Sequence, residues 1–373
     1  MADSQSRLPD GRPRGRGLGL PFPGKPGPDN AITDVEGVAV GYATLIEGEG
    51  AIEVGKGPVR TGVTAILPRT PWRPDASVRA GAFTLNGNGE MTGTHWINEA
   101  GYFATPVAIT NTHSLGIAHH ATVRWITRQF GDDLGAYNWA LPVIAETSDA
   151  YLNDMNGLHV TEEHVLAALD GAASGPLCEG NVGGGTGMTC YEFKGGTGTA
   201  SRLVPILGSD YTVGALVQAN HGIRPWLTIL GVPVGQHLTD GRFKAAESGS
   251  IVVVVATDAP LLSIQLQRLA RRITIGLGRT GSVSGDSSGD IFLAFSTANA
   301  DPHAGSGGLS RLEYIPNSRL DGMFLAVVES VEEAIVNALV AAETMIGRDN
   351  REVRAIDHGA LTELMGRYGR RGD

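Results

Sequence analysis

The sequence predicts an α/β protein built as a layered sheet sandwich with its helices outside. Three observations carry that expectation. Ile251-Val252-Val253-Val254-Val255 is an unbroken β-branched run, the signature of a strand buried on both faces. Helical and strand patterns alternate irregularly along the chain, with hairpin-like pairs among them, which disfavours a regularly wound parallel sheet. A chain of 373 residues, 42% hydrophobic and 18% charged, can also bury a large core, as one big α/β domain or two smaller ones. Its 53 glycines, about twice the ordinary share, are scattered through turns rather than repeated.

The elements follow in order. Arg7, Arg12, Arg14 and Arg16 mark a basic tail, and Pro21-Phe22-Pro23-Gly24 is an extended lead-in docked on the surface. Gly37 to Ala43, Gly62 to Leu67 and Ala104 to Thr110 read as strands. Ser114 is placed to cap a helix over Leu115 to Phe130, with Ile117, Ala121, Arg124 and Trp125 at helical spacing. Leu141 to Ala145 is a short apolar strand ending at Glu146-Thr147-Ser148-Asp149. Thr161 begins a helix with Glu162 and Glu163 in its first turn and Val165, Leu166 and Leu169 as its buried stripe.

Gly180 to Gly198 reads as loop. Thr212 to Ala219 is a strand ending at Asn220-His221-Gly222, with Leu227 to Val234 as its hairpin partner. Residues 235–249 are polar and poor in large apolar groups, as a solvent-accessible linker would be. After the strand at Ser250, Asp258 and Pro260 open a helix carrying Leu262, Leu266, Leu269, Ile273 and Leu277 on one face. Ile291 to Ser296 is a further buried strand, and Ser330-Val331-Glu332-Glu333 reads as the capping box of a helix reaching about Met345.

Composition narrows the function. A net charge of −10 argues against nucleic acid or an anionic membrane as partner. Two cysteines, Cys178 and Cys190, make neither a disulfide framework nor a CxxC zinc pattern, so a reduced, cytoplasmic setting is expected. Residues 1–30 show no signal-peptide pattern, and no apolar run approaches the roughly 18 residues of a membrane span. His119 and His120, adjacent on a helix, point about 100° apart and cannot chelate one metal together. No metal site or organic cofactor is expected.

Chemistry concentrates where strands begin and end. Gly249-Ser250 stands at the mouth of the β-branched run, where a hydroxyl could attack its own upstream peptide bond. After such a cut Ser250 would carry a hydroxyl and a free α-amine, nucleophile and base in one residue. A Gly-Ser turn feeding a core strand reads from the same residues. Asn220 ends a strand, where an amide can donate to an oxyanion, worth roughly 3–4 kcal/mol when well placed; it could equally turn the chain with Gly222. His221 beside it is a turn residue or a base. Glu146 ends an apolar strand, where a carboxylate is poorly solvated: it meets a backbone amide or Arg, or receives a cationic substrate amine. Ser288 and Asp290, two residues apart ahead of a strand, could orient Ser250 and tune its amine. Gly183-Gly184-Gly185-Thr186-Gly187 lacks the GK[ST] ending of a phosphate loop and reads as close backbone packing or positive φ. Asn86-Gly87-Asn88-Gly89-Glu90 is turn chemistry that could line a pocket.

Taken in order, several segments resemble the L-aminopeptidase/D-esterase family, which includes the β-peptidyl aminopeptidases. They are Gly27-Pro28-Asp29-Asn30-Ala31-Ile32-Thr33-Asp34-Val35, Ala145-Glu146-Thr147, Leu152-Asn153-Asp154, Gly183 to Met188, Gln218-Ala219-Asn220, Gly249-Ser250 with Ala256-Thr257-Asp258-Ala259-Pro260-Leu261, and Ser288-Gly289-Asp290. The resemblance covers the chain beyond the basic tail. It implies a four-layer αββα sandwich like that of N-terminal-nucleophile hydrolases, with different connectivity. It implies one self-cleavage, into residues 1–249 and 250–373, and assembly of the processed heterodimer into homo-oligomers. It implies a serine aminopeptidase acting on small peptides, amides or esters, with Ser250 as nucleophile, Asn220 at the oxyanion, Ser288 and Asp290 positioning Ser250, and Glu146 on the substrate ammonium. Ser148 stands where the family often has an aromatic residue, which implies a wider or more polar pocket, with Tyr151 nearby. An acyltransferase like the ornithine acetyltransferases, which use threonine, and a non-catalytic binding protein are the alternatives.

Overall fold

Small and branched apolar residues, alternating in and out, build two sheets in a computed structural model that describes residues 3–73, 77–130, 139–299 and 311–372. In chain order the strands are β1 (Ala39–Glu47), β2 (Val59–Leu67), β3 (Val78–Gly87), β4 (Tyr102–Phe103), β5 (Val107–Asn111), β6 (Val143–Thr147), β7 (Thr189–Cys190), β8 (Phe193–Lys194), β9 (Gly196–Ile206), β10 (Ser209–Asn220), β11 (Ser250–Thr257) and β12 (Gly289–Ser296). The helices are α1 (Thr94–Ala100), α2 (Leu115–Phe130), α3 (Glu162–Asp170), α4 (Val234–His237), α5 (Ser263–Arg279), α6 (Asp321–Val340) and α7 (His358–Arg367). One sheet runs β1-β2-β5-β6, the other β4-β3-β12-β11-β10-β9.

Three apolar layers show how they stack. Between the sheets, Val40, Ile66, Ile109 and Ala145 of the first meet Leu216, Val252, Val254, Leu293 and Phe295 of the second. Outside the first sheet, Val63, Ala65 and Ile144 pack on Ala118, Trp125, Val165 and Leu169 of α2 and α3. Outside the second, Val217, Val253, Val255 and Phe292 pack on Leu266, Leu269, Ile273, Val331 and Ile335 of α5 and α6. The architecture is therefore αββα. The β-branched run behaves as its composition dictates: Ile251, Val253 and Val255 face the helices while Val252 and Val254 face the other sheet. Among the described residues no helix is long and apolar enough to cross a membrane.

Several local expectations are corrected. The basic tail is not a surface appendage: Arg14 is buried against Glu179 at 2.9 Å and donates to the carbonyls of Asn30 and Thr199, while Leu20 and Phe22 join the outer core. Ser330 caps nothing. Its hydroxyl bonds back to the Ala326 carbonyl in mid-helix, and Glu333 is engaged by Arg16 and Arg202 at 2.7 and 2.6 Å. The hairpin partner of β10 is β9, because Leu227 to Val234 forms a tight turn closed by the Ile229–Val232 bridge. Asn111, not Ser114, caps the turn into α2, its Oδ1 accepting the Ser114 N–H at 3.0 Å. Asp258 opens no helix; its Oδ1 accepts the Thr212 N–H at 2.7 Å, and α5 starts at Ser263 with Gln265 capping the Leu262 N–H.

Candidate active site

Strand direction brings the sequence-nominated residues to one end of the second sheet. β10 runs antiparallel to β11 and finishes where β11 begins, so Asn220 lies opposite Ser250. β12 is parallel to β11 and begins beside it, so Gly289 is the other neighbour of Ser250. β5 and β6 of the first sheet are parallel, which sets Glu146 beside Thr110 at their shared end.

Side chains tie the two sheets together there. Asn220 Oδ1 accepts the Thr189 N–H and its Nδ2 donates to the Ser148 carbonyl, both at 2.9 Å. Glu146, two residues before Ser148, accepts the Glu90 N–H at 2.9 Å and the Thr112 hydroxyl. Gly89 fills the space between Glu146 and β12: a Cβ there would lie 3.2 Å from Glu146 Oε1 and 3.3 Å from the Gly289 Cα. A ring thus runs Ser250, Asn220, Ser148, Glu146, Gly89, Gly289 and back to Ser250.

The ring borders a cavity of about 890 Å³. Ser250, Gly249, Asn220, Glu146 and Ser148 line it, as do Asn88, Gly89 and Glu90 of the turn. Ser288 and Asp290 are buried behind it and are not among its lining residues. Ser288 Oγ donates to Asp290 Oδ1 at 2.8 Å, and the Ser284 hydroxyl donates to Oδ2. Burial, with Glu247 nearby, holds the Asp290 carboxyl above its ordinary range despite those two hydroxyls. The β12–β3 register slips between Asp290 and Ile291, an irregularity of the kind that re-aims side chains beside sites.

The Ser148 side of the cavity carries a different group from the aromatic expected of relatives. Its hydroxyl lies 3.7 Å from Met155 Sδ, while Tyr151 stacks on Phe243 with ring centroids 4.2 Å apart and Arg351 5.1 Å above the Tyr151 ring. Tyr151, Phe243 and Arg351 all line the cavity. Asp149, next to Ser148, is buried with Oδ2 unpartnered; burial pushes its carboxyl up to about 7, against hydrogen bonds from Thr61 and Asn153. The neutral acid is the form that suits such a site.

His221 is the turn residue rather than the base, leaving β10 beside Gly222 with its φ of +83°. It is buried behind Asn220, edge-on to Tyr191 with centroids 5.0 Å apart and its Nδ1 3.9 Å from Cys190 Sγ. Burial, aided by the Lys244 charge, pushes its pKa down to about 3, so the ring is neutral. The glycine run is close packing, as read: Gly183 has φ of +56°, and a Cβ on Gly184 would stand 2.1 Å from Gln218 Oε1. Thr112 and Phe243 escaped the sequence reading. Thr112 follows β5 as Ser148 follows β6, so a parallel pairing of those strands was the signal for it; Phe243, alone in a polar stretch, offered none.

Comparison with known proteins fixes the family. Residues 30–353 match peptidase family S58. The chain belongs to that family. It is 52% identical to a β-peptidyl aminopeptidase of Sphingosinicella microcystinivorans, over 96% of this chain and 93% of that one. A second β-peptidyl aminopeptidase, from Sphingosinicella xenopeptidilytica, is 46% identical over 95% and 91%. The structure of an L-aminopeptidase D-Ala-esterase/amidase from Ochrobactrum anthropi, described as a new variant of the Ntn-hydrolase fold, superposes with a TM-score of 0.91 at 55% identity, over 97% of this chain and all of that one. A Burkholderia sp. β-aminopeptidase gives 0.87 at 46%, over 95% and 99%. This member of family S58 is therefore a self-processing, serine-type aminopeptidase on a variant Ntn-hydrolase fold. The acyltransferase and the non-catalytic binding protein find no support in these matches.

Proposed function

We propose that this S58 member cuts its own chain between Gly249 and Ser250, and that the freed Ser250 then removes N-terminal residues from short peptides, amino-acid amides or esters. One observation carries the reading: Ser250 opens a strand buried on both faces, at the wall of the cavity, with Asn220 and Gly289 on either side. In maturation Ser250 Oγ attacks the Gly249 carbonyl carbon. The Gly249 oxygen already accepts the Gly289 N–H at 3.3 Å, a donor for the charge that develops there. The C–N bond breaks, the nitrogen takes the hydroxyl proton, and water hydrolyses the resulting ester to a Gly249 carboxylate and a free Ser250.

In turnover the α-amine, with an ordinary pKa of roughly 7.7–8.0, accepts the Oγ proton near neutral pH and returns it to the leaving group. Water then releases the acyl-enzyme. Asn220 Nδ2 donates to the oxyanion, and the Ser288–Asp290 pair at the start of β12, the strand beside β11, holds Ser250 in place. Glu146 receives the substrate ammonium; each of its oxygens keeps a lone pair beyond the bonds from Glu90 and Thr112.

An ammonium–carboxylate hydrogen bond is worth roughly 1.5–3 kcal/mol. Glu146→Gln is expected to raise KM for free-amine substrates roughly 10- to 100-fold, and N-acetylated substrates are expected to resist the wild type. Steady-state kinetics on paired free and acetylated p-nitroanilides, with a thermal melt of the variant, checks both. Equal turnover of the pair would make the enzyme a general amidase instead.

The processed chains assemble into oligomers in a cytoplasmic setting. The family resemblance supports the first and two free cysteines, Cys190 buried with its thiol pushed up to about 12, fit the second. Light scattering of the processed protein is expected to give a mass several times that of one processed pair.

A further inference from the structure

The polar segment ahead of Ser250 is tied down by groups that the reaction itself does not use. Glu192 Oε1 accepts the backbone N–H groups of Phe243 and Lys244 at 2.5 and 2.7 Å, and its Oε2 accepts that of Arg224 at 2.8 Å. Lys244 Nζ donates to the Ser248 carbonyl at 2.6 Å. Glu247 stands nearest the junction among the carboxylates of the segment. Its Oε1 accepts the Gly222 N–H at 3.1 Å, its Oε2 the Gly285 N–H at 2.5 Å, and its own carbonyl the Ser287 hydroxyl at 3.1 Å.

Those partners define what Glu247 holds. Gly222 lies just past Asn220, at the end of β10, and Gly285 lies in the turn leading to Asp290 and β12. One carboxylate therefore spans the ends of the two strands that flank Ser250. A Cβ on Gly285 would lie 2.1 Å from Glu247 Oε2, so only a glycine admits the carboxylate this closely. Gly249 is fitted in the same way, since a Cβ there would meet the Asn220 carbonyl oxygen at 2.2 Å. With both sides fixed, the Gly249 carbonyl sits on the Gly289 N–H rather than sampling the solvent.

We propose that Glu247 is a positioning residue for self-cleavage and not for turnover. The inference rests on the reading that the chain cuts itself at Gly249–Ser250. Attack on a neighbouring peptide bond needs that bond held in one orientation, and the two amide contacts of Glu247 supply it. Once the bond is cut, the segment no longer continues into β11 and no longer holds a reacting carbonyl. What remains of it at the site is a stretch of cavity wall, Phe243 to Gly249, of which Glu247 is not a lining residue.

The test uses cell-free synthesis of the full chain, with cleavage followed in time by denaturing electrophoresis and intact mass. Glu247→Ala is expected to cut at the same bond roughly 10- to 100-fold more slowly than the wild type. Once fully processed, it is expected to show kcat/KM within about twofold of wild type. Cleavage at the wild-type rate overturns the proposal, and so does a loss of kcat/KM matching the loss in cleavage rate, which a general structural role would produce. Where a thermal melt shows Glu247→Ala unfolded, Glu247→Gln decides: its amide keeps one acceptor and loses one of the two N–H contacts, so slowed cleavage supports the role and wild-type cleavage overturns it. Wild-type chain that never cuts, or cuts elsewhere, removes the underlying reading rather than the role of Glu247.

Discussion

Ser250→Ala is expected to stay one chain of 373 residues and to hydrolyse nothing. The methyl group fits the space of the hydroxymethyl, and residues 251–257 keep their burial between β10 and β12, so the fold should persist. What disappears is the hydroxyl that sequence adjacency places within reach of the Gly249 carbonyl carbon. Without it no ester forms, the α-amine stays locked in a peptide bond, and both nucleophile and base of the mature enzyme are missing. Intact mass after prolonged incubation, beside a wild type divided into 1–249 and 250–373, reads the outcome. A variant that still divides at this bond would mean that another group performs the attack.

Asn220→Ala is expected to lower kcat by roughly 10²–10³, about 2.7–4 kcal/mol of transition-state stabilisation, with little change in KM. The same side chain also accepts from Thr189 and donates to Ser148, so truncation alone confuses chemistry with support. Asn220→Asp isolates the Thr189 contact. It keeps an acceptor for that N–H but loses the donation to the Ser148 carbonyl together with the donor that the oxyanion needs, so its kcat should fall at least as far. Full kcat in either variant, measured on processed protein with a wild-type melt, would leave Asn220 as a bracket between the sheets.

The sequence made the site legible where local chemistry and strand geometry agree. A Gly-Ser pair against a β-branched run located the start of β11, and polar residues ending apolar runs located Asn220 and Glu146. Residues whose environment is made by distant backbone stayed hidden. β3 and β9 carry Gly81 and Gly198 where side chains would normally advertise a strand, because helices press directly on them: a Cβ on Gly81 would stand 2.3 Å from the Gln267 nitrogen, and one on Gly198 2.0 Å from the Ala334 carbonyl oxygen. Close helix–sheet contact thus erased the periodicity that reveals strands. Glu333 misled for a related reason. Three residues after a serine it imitates a capping box, whereas its partners Arg16 and Arg202 come from distant parts of the chain. Residues 235–249 are mostly exposed, as a solvent-accessible linker should be. The groups that tie residues 243–249 down, Glu192 and the Gly222, Gly285 and Gly289 amides among them, come from distant segments that no local pattern records.

The strand order β4-β3-β12-β11-β10-β9 has a kinetic consequence for a chain cut before Ser250. β11 and β12 then belong to the shorter polypeptide and lie between β3 and β10, both of the longer one. Each fragment, alone, would expose open strand edges and its share of the two apolar layers that β11 and β12 help to build. The uncut chain refolds by a unimolecular search, but the processed pair would have to find each other in solution while competing with aggregation. Cutting therefore turns folding into a one-way event. From that moment the lifetime of the enzyme depends on how slowly it unfolds, and hardly at all on whether it could fold again.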